Sequence, residues 1–417
     1  MLSHFTDPLL RGPLIASMLM CLTSALIGTV VFVRRHTLIG ETLAHASYPG
    51  ALIGALIATT FFKEHIEPLL LIGGACSAWL GLKCTYALEK RLFVNKDASL
   101  CFILVSFFGI GLLIVSRVQI LQPTTYKTMH SFLYGQVATM TDFHILIYAL
   151  FASITLGLIT LFYRPIQWTC FDPGFVTSIG KNTAFVHTII SFLLICNIAM
   201  GIRCTGIILM SGMLIAPPLA ARQWTHRLST LFFLSATFGA LSGYLGTLLS
   251  WNMSQKILPT GPMILLVAST LALIALLFSP KKGLLLQAIR IALFKDRCKI
   301  ENLLKLMWKQ REEPNTTATP SRLLLWRLKK EGFIFKNKNG SYHLTEEGMH
   351  RAERIVRLHR LWESYLVHLG QKPDSVHPHA EHMEHILTPH IETELTTLLD
   401  HPDADPHKQP IPTKRSL

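Results

Sequence analysis

The stretch VVFVRRHTLIGETLAHASYPGALIG, residues 30–54, decides how the chain is read. One apolar run ends at Arg34-Arg35, and the next begins at once, carrying Glu41 and His45. Four residues apart, these two share a face of a helix and can grip one cation together. A carboxylate inside a membrane span costs about 2.5–3.5 kcal/mol, so it is kept where it faces protein or water. Pro49 and Gly50 loosen the helix just beyond the pair, which suits a site lined by broken helices. The plainer alternative is an interfacial Glu41 paired with Arg34 or Arg35.

Outward from this stretch the chain divides in two. It has 417 residues, 50% hydrophobic and 15% charged, with a mean hydropathy of +0.40. Residues 1–280 hold 16 Lys+Arg and 8 Asp+Glu, about 9% charged, whereas residues 281–417 are about 29% charged. Eleven of the 19 histidines lie in that smaller part. A single soluble domain, a disordered chain and a disulfide-rich secreted scaffold are excluded. Seven of the eight cysteines lie in the apolar part and none forms a CxxC pair, so they read as packing residues.

A bilayer core of ~30 Å needs about 20 apolar residues per helix. Nine spans fit, at roughly 12–33, 38–60, 66–84, 98–116, 141–163, 184–200, 206–221, 229–250 and 262–279. The expected fold is an all-α polytopic membrane domain, 1–280, with a C-terminal α+β part. That part divides into a basic linker (281–300), a shortened winged-helix-like segment (301–345), a helical metal-binding and dimerisation segment (346–402) and a flexible tail (403–417). An odd span number puts the two ends of the membrane domain on opposite sides, and the polar tail is placed in the cytoplasm. Short loops on that side then carry ten Lys/Arg against six opposite, in line with the positive-inside rule.

Two further stretches stand out. TGIILMSGMLIAPPLAAR, residues 205–222, sets Pro217 and Pro218 inside an apolar run and so marks a break. FDPGFVTSIG, residues 171–180, is short and amphipathic and reads as a docking helix for a partner. Gly174 to Lys181 has the wrong spacing for a phosphate loop, and Asn182 replaces Ser/Thr, so no nucleotide is expected to bind.

RRHTLIGETLAHASYPG, FDPGFVTSIG, TGIILMSGMLIAPPLAAR and ILPTGPMILLVA, in that order, resemble the permease subunits of bacterial ABC importers of manganese, zinc or iron. The resemblance implies that Glu41 and His45 hold the travelling metal, although Asp is commoner at the first position. It implies that Phe171, Asp172, Pro173 and Gly180 belong to the segment that couples to a separate ATPase. The further partners implied are an extracytoplasmic metal-binding protein and a second permease, either a copy or a paralogue, in a bacterial inner membrane.

In the tail, KIENLLKLMWKQREE and SRLLLWRLKKEG read as helices, and FIFKNKNGSYHL alternates around Asn339-Gly340, a strong hairpin signal. Helix, helix and hairpin suggest a winged helix-turn-helix. Arg322, Arg327, Lys329, Lys330, Lys336 and Lys338 are candidate phosphate contacts, or simply a solvated face. The next helix sets His359 and Glu363 on one face; Glu381, Glu384 and His385 share a face of the one after, with His377 just ahead. Carboxylates with imidazoles suit manganese, iron(II) or zinc.

HLTEEGMHRAERIVRLHRLWESYL and VHPHAEHMEH resemble the metal-dependent repressors of the diphtheria-toxin-repressor type. That implies one metal site at His359, Glu363 and His377, and another at Glu381, Glu384 and His385. Glu381 matches the manganese-responsive branch, so manganese or iron is preferred to zinc. In the first tail helix, Asn302 and Lys305 stand where the family supplies a ligand and an acid. A positive charge there opposes a cation.

The expected function is the membrane subunit of an ATP-driven importer of divalent transition metal with a cytoplasmic metal-sensing domain; it is not itself an enzyme. The alternative is a metal-dependent repressor, membrane-tethered or released by proteolysis, with a vestigial permease. An intramembrane metalloprotease would need an HExxH-type motif, which the chain lacks.

Overall fold

A computed structural model describes residues 7–61, 66–121, 126, 135, 137–180, 183–207, 209–252, 259–280, 283–312, 321–338 and 340–413. The chain forms two compact units, Met1–Leu286 and Gln287–Leu417.

The first unit is helical: α1 (Pro8–Val33), α2 (Thr37–Phe61), α3 (Ile66–Arg91), α4 (Lys96–Leu121), α5 (Asp142–Leu161), α6 (Tyr163–Phe171), α7 (Pro173–Ser178), α8 (Thr183–Thr205), α9 (Met210–Arg222), α10 (Leu228–Asn252) and α11 (Thr260–Phe278). Each expected span holds a helix. Among the described residues, seven of them are long and apolar enough to cross a membrane: α1, α3, α4, α5, α8, α10 and α11. The other two depart for different reasons. α2 is long, at 25 residues, but Glu41, His45 and Ser47 lower its hydropathy. α9 has only 13 residues, because Gly206 (φ +82°) ends the preceding helix and the chain resumes at Met210.

α1 is the hub. Asp7 caps its start, accepting from the Leu9 amide at 3.0 Å. Its apolar window is 78% buried, against 17–56% for the other six spans. Small hydroxyls let it sit there: Ser17 Oγ meets Thr247 Oγ1 on α10 at 2.9 Å, and Ser24 Oγ meets Asn197 on α8. α2 is fixed against α3 by close backbone approach. A Cβ added to Gly50 or to Gly73 would collide with the other's carbonyl oxygen, so the pair admits only glycine.

The second unit contains all but the first three residues of α12 (Leu284–Glu312), then α13 (Arg322–Lys330), β1 (Ile334–Lys336), β2 (Tyr342–Leu344), α14 (Glu346–His368), α15 (His377–Met383) and α16 (Pro389–Leu398). The strands pair antiparallel with Ile334 opposite Leu344; Gly340 turns the chain at φ +82°, and Asn339 lies outside the described residues. Leu303, Leu304 and Trp308 of α12, Leu328, Ile334, Ala352 and Val356 form one core, and Leu358, Leu387 and Leu395 a second. Emptying the fully buried Leu304 to alanine would cost about 2–5 kcal/mol.

Two expected boundaries are corrected. The linker at 281–300 is not a linker: from Leu284 it is one helix with the segment after it, since no Gly or Pro interrupts 284–312. The tail after 403 is not loose as far as 413. Arg360 donates to the Pro410 carbonyl and to Gln409 Oε1, and Arg357 donates to the Pro412 carbonyl at 2.7 Å. Residues 414–417 lie outside the described residues.

Candidate metal centres

Glu41 and His45 stand one turn apart on α2, both half-buried, on a helix packed by α3 and α4. Thr42 Oγ1 donates to the Leu100 carbonyl at 3.3 Å, fixing the turn between them against α4. Phe108 of α4 meets the His45 ring edge-on at 4.8 Å, and Tyr48 packs on the same Phe108. His45 Nδ1 is buried and has no hydrogen-bond partner among the described residues. Leaving such a group unsatisfied costs about 1–3 kcal/mol, which an incoming ligand would recover. Arg34 does not pair with Glu41: its guanidinium reaches Thr169 Oγ1 at 3.0 Å and His187 Nδ1 at 3.1 Å. Phe108 carries no sequence signal, because an aromatic in an apolar span reads as core.

A cleft of about 970 Å³ lies elsewhere in this unit, lined by Arg34, His36, Lys83, Lys96 and His187 among others. Neither Glu41 nor His45 lines it. Its positive lining does not suit a divalent cation.

Residues 171–180, the segment expected to dock a partner, hold the short helix α7. Asp172 Oδ1 caps α7, accepting from the Phe175 amide at 2.9 Å, with Pro173 in the first turn. Gly180 turns the chain at φ +70°. Phe171, Phe175 and Ile179, spaced by four, are 60%, 54% and 46% exposed. Asp172 (φ −146°, ψ 84°) breaks the helix between Phe171 and Phe175, so the three share a short segment and not one helical face. Exposed apolar side chains gathered in this way are a usual mark of a partner surface.

In the second unit, α14 brings His359 and Glu363 to His377 at the start of α15. Thr345 starts α14 by accepting from the Gly348 amide at 3.2 Å. His359 Nε2 lies 3.0 Å from Glu363 Oε1 and 3.0 Å from His377 Nδ1, and those two atoms are 2.8 Å apart. A triangle of donors this tight bends every hydrogen bond in it. It is close to one face of an octahedron whose metal–ligand bonds are about 2.1 Å. Among the described residues these three alone converge closely enough to hold a metal ion. Two imidazoles and a carboxylate therefore fit a first-row divalent ion. Burial raises the Glu363 carboxyl, but hydrogen bonds from His359 and His377 overcome this and bring it down to about 2.

Glu381, Glu384 and His385 do not come together as a second triangle. Glu381 is exposed and leans toward His377 Nε2 at 3.7 Å. Glu384 is buried, with Oε2 2.5 Å from His359 Nδ1 and 2.7 Å from Lys305 Nζ. Burial works to raise its carboxyl, yet His359 and Lys305 hold it below the usual range. His385 Nδ1 faces Glu301 Oε2 at 2.8 Å, and its Nε2 faces Asn302 Oδ1 at 3.0 Å. Glu301 also accepts from Arg351 at 2.7 Å and from Arg297 at 3.1 Å. Burial pushes the Glu301 carboxyl up, but His385, Arg351 and Arg297 bring it down to about 2. Sequence reading missed Glu301, because an acid four residues before Lys305 looks like an ordinary solvated helix pair.

The candidate phosphate contacts are dispersed. Arg327 Nη1 is bound to Asp296 Oδ2 at 2.7 Å, and Lys330 and Lys336 lie over the rings of Trp326 and Tyr342. Arg322, Lys329 and Lys338 are exposed. On α13, Leu323 and Trp326 are 68% and 62% exposed, so its surface is poor in groups that read base edges.

Residues 6–279 match the ABC 3 transport family, and residues 345–413 match the iron dependent repressor metal binding and dimerisation domain. A probable metal transport system membrane protein of Chlamydia trachomatis is 35% identical, covering 98% of this chain and 97% of its own length, both units included. The manganese transport system membrane protein MntC of Bacillus subtilis is 30% identical over 85% of this chain and 83% of its own. The zinc transport system membrane protein TroC of Treponema pallidum is 30% identical over 69% of this chain and 94% of its own. The solved structure of PsaBC from Streptococcus pneumoniae in complex with Fab shares the fold, with TM-score 0.58 and 23% identity, covering 68% of this chain and 98% of that one. With seven helices long and apolar enough to span a membrane among the described residues, and a family match across two thirds of its length, this multi-pass membrane protein belongs to the ABC 3 transport family.

Proposed function

We propose that this chain is the membrane-spanning subunit of an ATP-driven importer of divalent transition metal, carrying its own cytoplasmic metal sensor. The observation that carries the reading is the Glu41–His45 pair on α2, with His45 Nδ1 buried inside the bundle and unpartnered among the described residues. The pair offers one oxygen and one nitrogen, a set that binds manganese, iron(II) or zinc and is small enough to let the ion go. Relatives named for manganese and for zinc support a divalent metal as cargo. Manganese or iron is preferred here because the tail pairs carboxylate with imidazole and uses no thiolate.

ATP is hydrolysed by a separate subunit docked on residues 171–180 through Phe171, Phe175 and Ile179. An extracytoplasmic metal-binding protein delivers the ion, and a second permease completes the pathway in the bacterial inner membrane. The tail binds arriving metal at His359, Glu363 and His377 and restrains transport. The repressor alternative is disfavoured by Leu323 and Trp326 on the surface of α13, and by Arg327 being tied to Asp296.

The test is ATP-dependent manganese uptake by proteoliposomes holding this chain and its ATPase. Uptake is expected in the unaltered complex and absent from Glu41→Ala and His45→Ala complexes that still assemble. Normal accumulation in both variants would reject the site.

A further inference from the structure

We infer that the tail holds one metal ion and not two, because the ammonium of Lys305 fills the second position as a resident cation. This rests on the reading of the tail as a metal-binding domain. The two candidate clusters share His359. Its Nε2 faces Glu363 and His377, whereas its Nδ1 faces Glu384. On the Nδ1 side the carboxylate is already neutralised. Lys305 Nζ lies 2.7 Å and 3.0 Å from the two Glu384 oxygens and 3.1 Å from His359 Nδ1. The Glu384 side chain is fully buried and that of Lys305 is 7% exposed, so the pair is shielded from solvent and salt.

A divalent ion on Glu384 would therefore have to displace a buried ammonium or sit against it, and like charges at that range repel strongly. The other two groups expected at this position are also committed. Both His385 nitrogens face α12, through Glu301 and Asn302, and Glu381 leans to the other cluster. None of the three expected ligands is left open to an ion.

The consequence is mechanical. Lys305 and Glu301 belong to α12, His359 to α14, and Glu384 and His385 follow α15. Lys305–Glu384 and Glu301–His385 join these elements permanently, where an ion in the same place would join them only when metal is present. The response to metal then lies in His359, Glu363 and His377 alone, and binding follows a one-site curve with a Hill coefficient of about 1.

The experiment uses the full-length chain in detergent, carrying Glu41→Gln and His45→Gln so that the membrane pair is silent. Bound manganese(II) is counted by equilibrium dialysis and elemental analysis, and located by anomalous scattering. One ion per chain is expected, at His359, Glu363 and His377, with Lys305 still on Glu384. Adding Lys305→Met is expected to raise the count to two. Two ions with Lys305 in place, or a Lys305→Met count that stays at one, overturns the inference. No bound ion removes the reading of the tail as a metal domain, a distinct failure that takes the inference with it.

Discussion

His45 in α2 and His359 in α14 are both half or more buried and both stand four residues from a glutamate, yet their surroundings are opposite. His45 Nδ1 has no partner among the described residues, and Phe108 stands edge-on to the ring. His359 has both nitrogens occupied, by Glu363 and His377 on one side and by Glu384 on the other. An ion meeting His45 and Glu41 finds two ligands and little to hold it. An ion meeting His359 finds three donors already gathered and oriented by further carboxylates. Under the proposed function, the first is a site where metal passes and the second one where metal rests.

The largest effect that can break this comparison is loss of transport. Glu41→Ala or His45→Ala is expected to lower uptake at least about 100-fold, since removing even a supporting group costs 10–100-fold in metal affinity. Manganese bound by the tail should not change; a drop there would show that the two sites are not independent.

Acid sharpens the comparison next. Glu301 is held at about 2 in the folded tail against an ordinary 4.5. A depressed acid stabilises above its unfolded pKa and loses that contribution as pH falls through its folded one. Stability of the tail should therefore decline from about pH 4.5 toward pH 2, by about 3 kcal/mol from this residue alone. The membrane bundle should keep its helicity over the same range, as followed by circular dichroism and by protease cutting of the tail. Simultaneous loss of both units would contradict the separation.

Glu301→Gln tests the same joint at neutral pH. It leaves His385 and Arg351 without their shared anion, at a cost of about 2–4 kcal/mol, moderated because Arg297 and Arg351 are partly exposed. The tail's melting temperature should fall while uptake at low internal metal is retained. Smaller still is Phe175→Ala on α7. Trimming one exposed aromatic from a docking face should weaken ATPase binding about tenfold in a pull-down titration, leaving metal binding untouched.

The two regions also differ in how far their sequence could be read. Membrane helices announce themselves because lipid forces each backbone to satisfy itself within an apolar run. α9 escapes the length rule because the chain breaks at Gly206 and resumes only at Met210. The break expected at Pro217 and Pro218 is not there, since the helix runs through both, and α2 falls short in hydropathy partly through Glu41 and His45 themselves. In the tail, spacing paired His359 with Glu363 on α14, and the family resemblance joined His377 to them, the grouping in which the three atoms lie within 3.0 Å of one another. Spacing failed for Glu381, Glu384 and His385. Their partners Glu301, Asn302 and Lys305 lie about 80 residues earlier on α12, and only the packing of α12 on α14 and α15 brings them together. The ordering of 403–413 was hidden for the same reason: Arg357 and Arg360 look like surface charge until their carbonyl partners are in place.

Manganese uptake into proteoliposomes preloaded with a graded series of internal manganese tests the division of labour most directly. For the unaltered complex, uptake is predicted to run at low internal metal and to slow as internal manganese rises. With Glu363→Ala and His377→Ala it should run at every internal concentration, and with Glu41→Ala at none. Uptake that ignores internal manganese in the unaltered complex, or that persists in Glu41→Ala, would contradict the account.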